Sequence, residues 1–233
     1  MASAPPHDPA LLATLAQWDT PTICNAIEEA TGRPVDDGIT RRTLHVADLS
    51  LPPMVGYART ATIRAAQASD ADRAELTARR LAWYGHVAAA PGPAIVVLED
   101  LDDEPGIGAF WGEVHTRVHL RLGALGAITN GSMRDLHMLA PGFQILAGEI
   151  GPSHAWIRVE EIGLPVTVCG LSVTDDDLIH ADRHGAVVIP HHVAAAIPAA
   201  VGRIMAKEKV ILDLCAGDFS LDALRRTVGG AIE

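Results

Sequence analysis

Ala94-Ile95-Val96-Val97-Leu98, a helical stretch from about Ala109 to Leu122, and then Leu125-Gly126-Ala127-Ile128 form the part of the sequence that decides the fold. Both apolar runs are uncharged, as strands covered on both faces are. Pro91-Gly92-Pro93 breaks the chain before the first run, the acidic loop 99–108 leads out of it, and Gly123 stops the helix. Strand, helix and strand with short connections predict a right-handed parallel crossover.

Upstream, Asp8-Pro9 and Thr20-Pro21 each place a capping residue before a proline, and Gly32 ends the second stretch, so helices are predicted over about 9–32. Residues 54–63, rich in Val, Thr and Ile, read as a strand, and Ser69 caps an Arg- and Ala-rich helix reaching about His86. Downstream come short β pieces at 143–147, 155–159, 165–169, 178–181 and 186–189. After Pro190 an Ala-rich helix and an amphipathic tail predict a helical C-terminus over about 191–233. Without repeats or Gly/Ser linkers, the chain reads as a single mixed α/β domain over 1–233.

Composition removes several functions. Of 233 residues, Lys and Arg number 18 against 29 Asp and Glu, a formal charge of −11 that leaves no basic footprint for nucleic acid. No apolar run approaches the roughly 18 residues of a membrane span, and residues 1–6 carry neither a basic nor an apolar leader region, so a cytoplasmic protein is expected. Cys24, Cys169 and Cys215 are scattered, as buried thiols are. The only lysines, Lys207 and Lys209, flank Glu208 in a predicted solvated helix, which disfavours a lysine imine and with it PLP chemistry. The glycines from 123 to 131 lack the spacing and lysine of a phosphate loop, so no nucleotide is expected.

In a crossover, the helix start and the loop after the next strand both lie at the carboxyl ends of the strands, where open α/β sheets bind ligands. Trp111-Gly112-Glu113-Val114-His115 should therefore approach Asn130-Gly131-Ser132-Met133-Arg134-Asp135. Free N–H groups at a helix start attract carboxylates, and Gly112 admits a ligand to the main chain. Arg134 can clamp a carboxylate or enolate, and Asp135 is a hard oxygen ligand for Mg²⁺ or Mn²⁺. An adjacent Arg-Asp after a glycine turn is also how a surface ion pair or a helix cap reads.

Gly112-Glu113, twenty intervening residues and Arg134-Asp135 with Asn130-Gly131 just before resemble the signature of one family. It joins class II 4-hydroxy-4-methyl-2-oxoglutarate aldolases, oxaloacetate decarboxylases and the regulator of ribonuclease E activity A, and was formerly labelled dimethylmenaquinone methyltransferase. Asp19-Thr20-Pro21 with Asn25-Ala26, the run from Val55 to Thr62 and the run from Asp182 to Pro190 fit it too, over about residues 10–210. The resemblance implies a three-layer β/β/α fold like the swivelling phosphohistidine domain, assembled as a homotrimer or homohexamer with sites at subunit borders. It implies a lyase that cleaves the C–C bond next to a pyruvoyl group, by retro-aldol cleavage or by decarboxylation of oxaloacetate. Asp135 would hold Mg²⁺ or Mn²⁺, with Glu113 acting through metal-bound water and Glu208 of a neighbouring subunit as a weak further candidate. Arg134 would contact the keto oxygen and carboxylate of a 2-oxo acid, and the main chain of Gly112, Glu113, Val114 and His115 would receive the pyruvoyl carboxylate. Two positions depart from the family: proven aldolases tend to carry Asp in place of Glu113, and many members carry Asp in place of Asn130. The alternative within the same family is a non-catalytic regulator that binds ribonuclease E.

The physical logic favours a metal site in a lysine-poor chain. A divalent ion and Arg134 together offset the charge of the enolate left when the C3–C4 bond breaks, and no imine is needed. Other clusters read more plainly. His115 borders the predicted pocket, whereas His119 reads as an ordinary helix residue. His180, Asp182 and His184 would share one strand face like metal ligands, unless Gly185 turns the chain and Asp182 caps it. His191-His192 reads as the solvated start of a helix, Glu99–Glu104 as a solvated loop, and Asp175-Asp176-Asp177 as a turn before a strand.

Overall fold

The computed structural model of the protein describes residues 6–231, with side chains described to residue 229. The leader reading of residues 1–5 and the end of the predicted tail lie outside the described residues. Helices α1 (Pro9–Leu15) and α2 (Thr20–Thr31) begin with prolines in their first turns and carry Asp8 and Asp19 as caps. Thr20 is therefore the first helical residue rather than the cap, because the Asp19 carboxylate accepts from Thr22 N–H at 3.0 Å. Gly32 ends α2 at φ +69°, a conformation that glycine adopts without strain.

The crossover is present and larger than predicted. Strand β2 (Met54–Arg64) leads through α3 (Arg73–Ala88) to β3 (Ala94–Asp100), which pairs parallel with it. Asp72, not Ser69, caps α3, its carboxylate accepting from Glu75 N–H at 2.9 Å. Between β3 and β5 (Ala124–Met133) the predicted helix from Ala109 divides into strand β4 (Ala109–Trp111) and helix α4 (Glu113–Arg121). β3 pairs with β5 as far as Leu98 opposite Thr129; β4 then takes up that edge, with Ala109 opposite Ser132 and Trp111 opposite Met133. Three apolar residues contiguous with a helix carry no periodicity of their own.

These strands belong to a nine-stranded sheet in the order β1 (His45–Val46), β6 (Gln144–Ile150), β5, β3, β2, β10 (Leu178–Asp182), β11 (Gly185–Ile189), with β4 on β5 and β7 (Arg158–Ile162) on β2. A hairpin of β8 (Val166–Val168) and β9 (Leu171–Val173) makes a second sheet. The strand predicted at 155–159 begins instead at Arg158, and β1, β4 and β9 were not foreseen. The chain then passes through a 3-10 turn (Ala194–Ala196) into α5 (Ile197–Ala216) and α6 (Leu221–Ala231).

Alternate residues of each central strand face opposite ways, and each face has its own cover. Val96, Leu98, Ala127 and Ile145 pack with Trp83 of α3 and Trp111 on one face. On the same side, Val55 and Tyr57 meet α1, α2 and α5 through Leu12, Ile23 and Ile197. Ile95, Val97, Ile128 and Leu146 face the other way, onto Val166, Val168 and Leu171 of the hairpin. Helices, large sheet and small sheet form the three-layer β/β/α arrangement. Trp83 and Trp111 are both fully buried, and burial of such a side chain contributes about 3 kcal/mol each. Among the described residues no helix is long and apolar enough to cross a membrane.

Several polar groups of the helices, loops and turns are built into this framework. His119 is fully buried, its Nδ1 donating to the His115 carbonyl at 2.7 Å and its Nε2 accepting from Trp83 Nε1 at 2.9 Å. In the acidic loop, buried Asp100 and Asp102 accept backbone N–H groups: Asp100 from Gly106 at 2.8 Å, and Asp102 from Ala65 and Ala66 at 2.7 Å. Asp175 joins buried Arg59 at 2.5 Å and His86 at 2.9 Å, and Asp176 meets the same guanidinium at 2.9 Å, so the aspartate turn is half of an ion cluster. His191 is half-buried against His7, 3.0 Å away, rather than solvated.

Burial lowers the His119 pKa to about 4, so the native state takes up its proton less readily than the unfolded chain. Its contribution is fully present above the unfolded value near 6.5 and is lost as pH falls from there towards 4. Urea unfolding at pH 7.5 and 5.0 should show wild type losing about 2 kcal/mol more stability on acidification than His119→Gln does. Equal losses in the two proteins would remove this account of His119.

Candidate active site

Where β4 takes over the edge of β5, the chain brings the two predicted segments into contact. Arg134 N–H donates to the Trp111 carbonyl at 2.9 Å, extending the ladder by one bond beyond β4. Gly112 then stands beside Asp135, and a Cβ built on Gly112 would lie 2.6 Å from Asp135 Oδ2 and 3.3 Å from Arg134 Cγ and Nε. Real Cβ atoms do not come that close to an oxygen, so any other residue here would displace the Asp135 carboxylate from this position. Asp135 itself adopts φ +56°, a left-handed conformation that aspartate tolerates better than most residues but at some cost.

Gly112 is also the N-cap of α4 and supplies no side chain to cap it. The first N–H groups of a helix have no intrahelical acceptor and carry its positive end. Here Glu113 N–H donates to Asp135 Oδ2 at 3.2 Å, while no side chain caps the rest of the first turn. Arg134 Nε lies 3.7 Å from the same carboxylate, and both side chains are about one-third exposed. The Glu113 carboxylate turns along the helix to Arg117, 3.1 Å away.

These groups line a cavity of about 480 Å³ that also includes Leu76, Arg80, Phe110, His115, Trp156 and Arg158. Of the three lining arginines, Arg158 is occupied, with Glu160 at 2.6 Å and the Gln67 carbonyl at 2.5 Å. Arg134 leans on Asp135, and Arg80 has no ion pair among the described residues. His115 sits against Phe110, ring centroids 4.2 Å apart, with Tyr84 Oη 3.4 Å from its Nδ1. Burial above all, then the proximity of His119, Arg80 and Arg134, lowers its pKa to about 3. His115 is a neutral hydrogen-bonding group here, not a cationic acid.

Gly112, Glu113, Val114, His115, Arg134 and Asp135 thus come together as the spacing predicted. Glu208 does not join them within the chain; it lies exposed on α5, outside the cavity lining. Asn130 is likewise not a lining residue. Its amide accepts from Asp100 N–H at 2.7 Å and donates to the Asp100 carbonyl at 2.9 Å, a two-way clamp that an aspartate could not complete. Arg80, Leu76 and Trp156 escaped the sequence reading, because they reach the site from α3 and from the loop before β7. The i, i+4 stripe of Leu76, Arg80 and Tyr84 on α3 was the signal available.

Among the described residues no group of three or more His, Cys, Asp or Glu is disposed to hold a metal ion. A Mg²⁺ or Mn²⁺ ion does not require one, since Mg²⁺ keeps several waters and binds through one or two carboxylates plus substrate oxygens. Asp135 supplies one such carboxylate, and that of Glu113, paired with Arg117, is left to act through a metal-bound water. The late cluster does not form a metal site. His180 is engaged by Thr20 Oγ1 at 3.0 Å and by the Trp18 carbonyl at 3.0 Å, and the Asp182 carboxylate accepts from Thr20 and His184 N–H at 2.9 and 2.8 Å.

Solved structures similar to this chain share its fold. An uncharacterised protein from Pseudomonas syringae pv. tomato aligns with a TM-score of 0.72 at 18% identity, over 95% of each chain. Streptomyces coelicolor RraAS2, described as an unusual member of the RNase ES inhibitor RraA family, aligns with a TM-score of 0.66 at 22% identity, over 88% of this chain and 96% of that one. The RNA-processing inhibitor RraA from Thermus thermophilis aligns with a TM-score of 0.52 at 15% identity, over 72% and 92%. The model of the RraA-like family, Aldolase/RraA, matches residues 20–188, and the chain belongs to that family, which holds both aldolase or decarboxylase enzymes and non-catalytic ribonuclease regulators.

Proposed function

We propose that the protein is a divalent-metal-dependent lyase that cleaves the C–C bond adjacent to a pyruvoyl group of a 2-oxo acid. One observation carries the reading: the uncapped start of α4, the Arg134 guanidinium and the Asp135 carboxylate converge on one wall of a 480 Å³ cavity. Asp135 would hold Mg²⁺ or Mn²⁺, with Glu113 acting through water, and the ion when bound supplies an electrophile that orients the 2-oxo acid and draws charge from its carbonyl.

The chain's own residues do the remaining work. The N–H groups of Val114 and His115 receive the pyruvoyl carboxylate, where the positive end of the helix favours an anion. Arg134 stabilises the negative charge that develops on the keto oxygen as the electron pair of the C3–C4 bond moves towards it. Where C4 bears a hydroxyl, that group gives its proton to a base and the departing fragment is a carbonyl compound; where C4 is itself the carboxylate carbon, the fragment is CO₂. Protonation at C3 then gives pyruvate in either case. His115, being neutral, can orient a substrate oxygen without adding a competing charge.

A non-catalytic ribonuclease regulator is the second reading, favoured by what the Streptomyces and Thermus neighbours are described as doing. In either reading the exposed apolar residues near the cavity, Val114, Leu136, Met138 and Trp156, suit contact with another copy in a trimer or hexamer.

Pyruvate release from oxaloacetate, coupled to lactate dehydrogenase, separates the two readings. Wild type should give pyruvate with Mg²⁺ or Mn²⁺ and lose it with chelator, and Arg134→Ala should lower kcat by ~10²–10³. Asp135→Ala should be as inactive as the chelated enzyme, with both variants keeping the wild-type circular dichroism spectrum. No metal-dependent pyruvate from wild type, or full turnover in either variant, would overturn the lyase. The unpaired Arg80 adds a finer expectation: Arg80→Met should raise KM for a 2-oxo acid bearing a second carboxylate by about tenfold, the value of one charge-assisted contact. Binding of oxalate, which lacks the distal group, should stay within about twofold, and an equal loss for both ligands would refute that role.

A further inference from the structure

We infer that the protein has a second anion site, separate from the cavity at Arg134, in the cleft between residues 40–44 and the β10–β11 turn, and that it takes the phosphate group of a small phosphorylated molecule. The cleft, about 290 Å³, is lined by Arg41, Arg42, Arg183 and His184, with Leu146 at its base. It shares no lining residue with the cavity at Arg134.

Three guanidiniums have been gathered here in a chain whose formal charge is −11, with little to neutralise them. Arg41 donates to the Asp36 carbonyl at 2.8 Å and has Asp37 at 3.8 Å, an exposed pair that contributes little, so part of its fork is taken. Among the described residues Arg42 and Arg183 have no carboxylate within ion-pair distance. Cations so placed repel one another unless an anion joins them.

The backbone that carries them is held in place. Thr40 N–H donates to the Ala186 carbonyl, Ala186 N–H donates to Thr40 Oγ1, both at 3.0 Å, and Arg41 N–H donates to the Cys169 carbonyl at 2.8 Å. Both opposing turns depend on glycine. At Gly185, φ +125°, a Cβ would lie 2.2 Å from Thr40 Oγ1; at Gly170, φ +92°, it would lie 3.1 Å from Arg41 Cβ. His184 is fixed as well, its Nδ1 3.1 Å from Asp182 Oδ1, which leaves Nε2 for another partner.

Three planar forks and an oriented imidazole exceed what one carboxylate can satisfy, and they match the several oxygens of a phosphate. The net negative charge of the protein argues against a nucleic acid as the source of that phosphate. A small ligand fits the volume of the cleft.

Titration calorimetry with inorganic phosphate at low ionic strength tests the assignment. Wild type should bind one phosphate per chain at this cleft, besides any drawn to the cavity at Arg134, and Arg42→Gln/Arg183→Gln should weaken that one by at least about tenfold, as loss of charge-assisted hydrogen bonds implies. Arg134→Gln should leave the affinity of the cleft within about twofold. All three proteins should unfold at similar urea concentrations, and if the double variant misfolds, Arg42→Gln alone should still weaken binding by about threefold. Absence of saturable binding by wild type, loss through Arg134→Gln instead, or binding of a single-stranded RNA through these arginines when phosphate does not bind would overturn the proposal. None of these outcomes depends on lyase activity.

Discussion

The contact between the Asp135 carboxylate and the bare α-carbon of Gly112 is the constraint on which the site depends. It exists because β4 pairs with the end of β5 after β3 has stopped, so that a three-residue strand delivers α4 to the place where β5 runs out. One further ladder bond, Arg134 N–H to the Trp111 carbonyl, fixes the register. A side chain at position 112 would collide with the carboxylate it must admit, and a residue at 135 must accept a left-handed backbone. Such strain persists only where surrounding structure holds it, and here the buried Trp111 and Met133 provide that support.

Electrostatics around this contact are divided between charges that are already paired and charges that are available. Arg117 is committed to Glu113, and Arg158 to Glu160. Arg134 is only loosely held, and Arg80 lines the cavity without an ion-pair partner among the described residues. Between them His115 is kept neutral by burial and by its cationic neighbours, so it adds no charge to those of Arg80 and Arg134 near neutral pH. That environment suits an anionic substrate with charge developing next to Arg134.

Much of the site was legible in the sequence because a crossover fixes which ends of its elements meet. The strands 94–98 and 125–128, the glycine near the helix start and the Arg-Asp after the strand sufficed to bring the segment of Gly112 to that of Asp135. What escaped was what tertiary structure alone decides. Strand β4 is too short to show a period, and Arg80 belongs to a helix whose orientation the sequence does not give. Asn130 reads as a missing charge near a metal until its amide is seen clamped to the Asp100 backbone, which makes it a structural residue joining β3 to β5. Asp100 and Asp102 read as parts of a solvated loop and His119 as an ordinary helix residue, because nothing in their spacing marks them; each is buried with its hydrogen bonds satisfied.

Direct measurement of the hard cation proposed at Asp135 tests the lyase reading without any assay of turnover. Electron paramagnetic resonance with Mn²⁺ and oxalate should show one bound ion per chain in wild type and none above background in Asp135→Asn, which keeps the shape and removes the charge. Equal Mn²⁺ binding by the two proteins would contradict the assignment of Asp135.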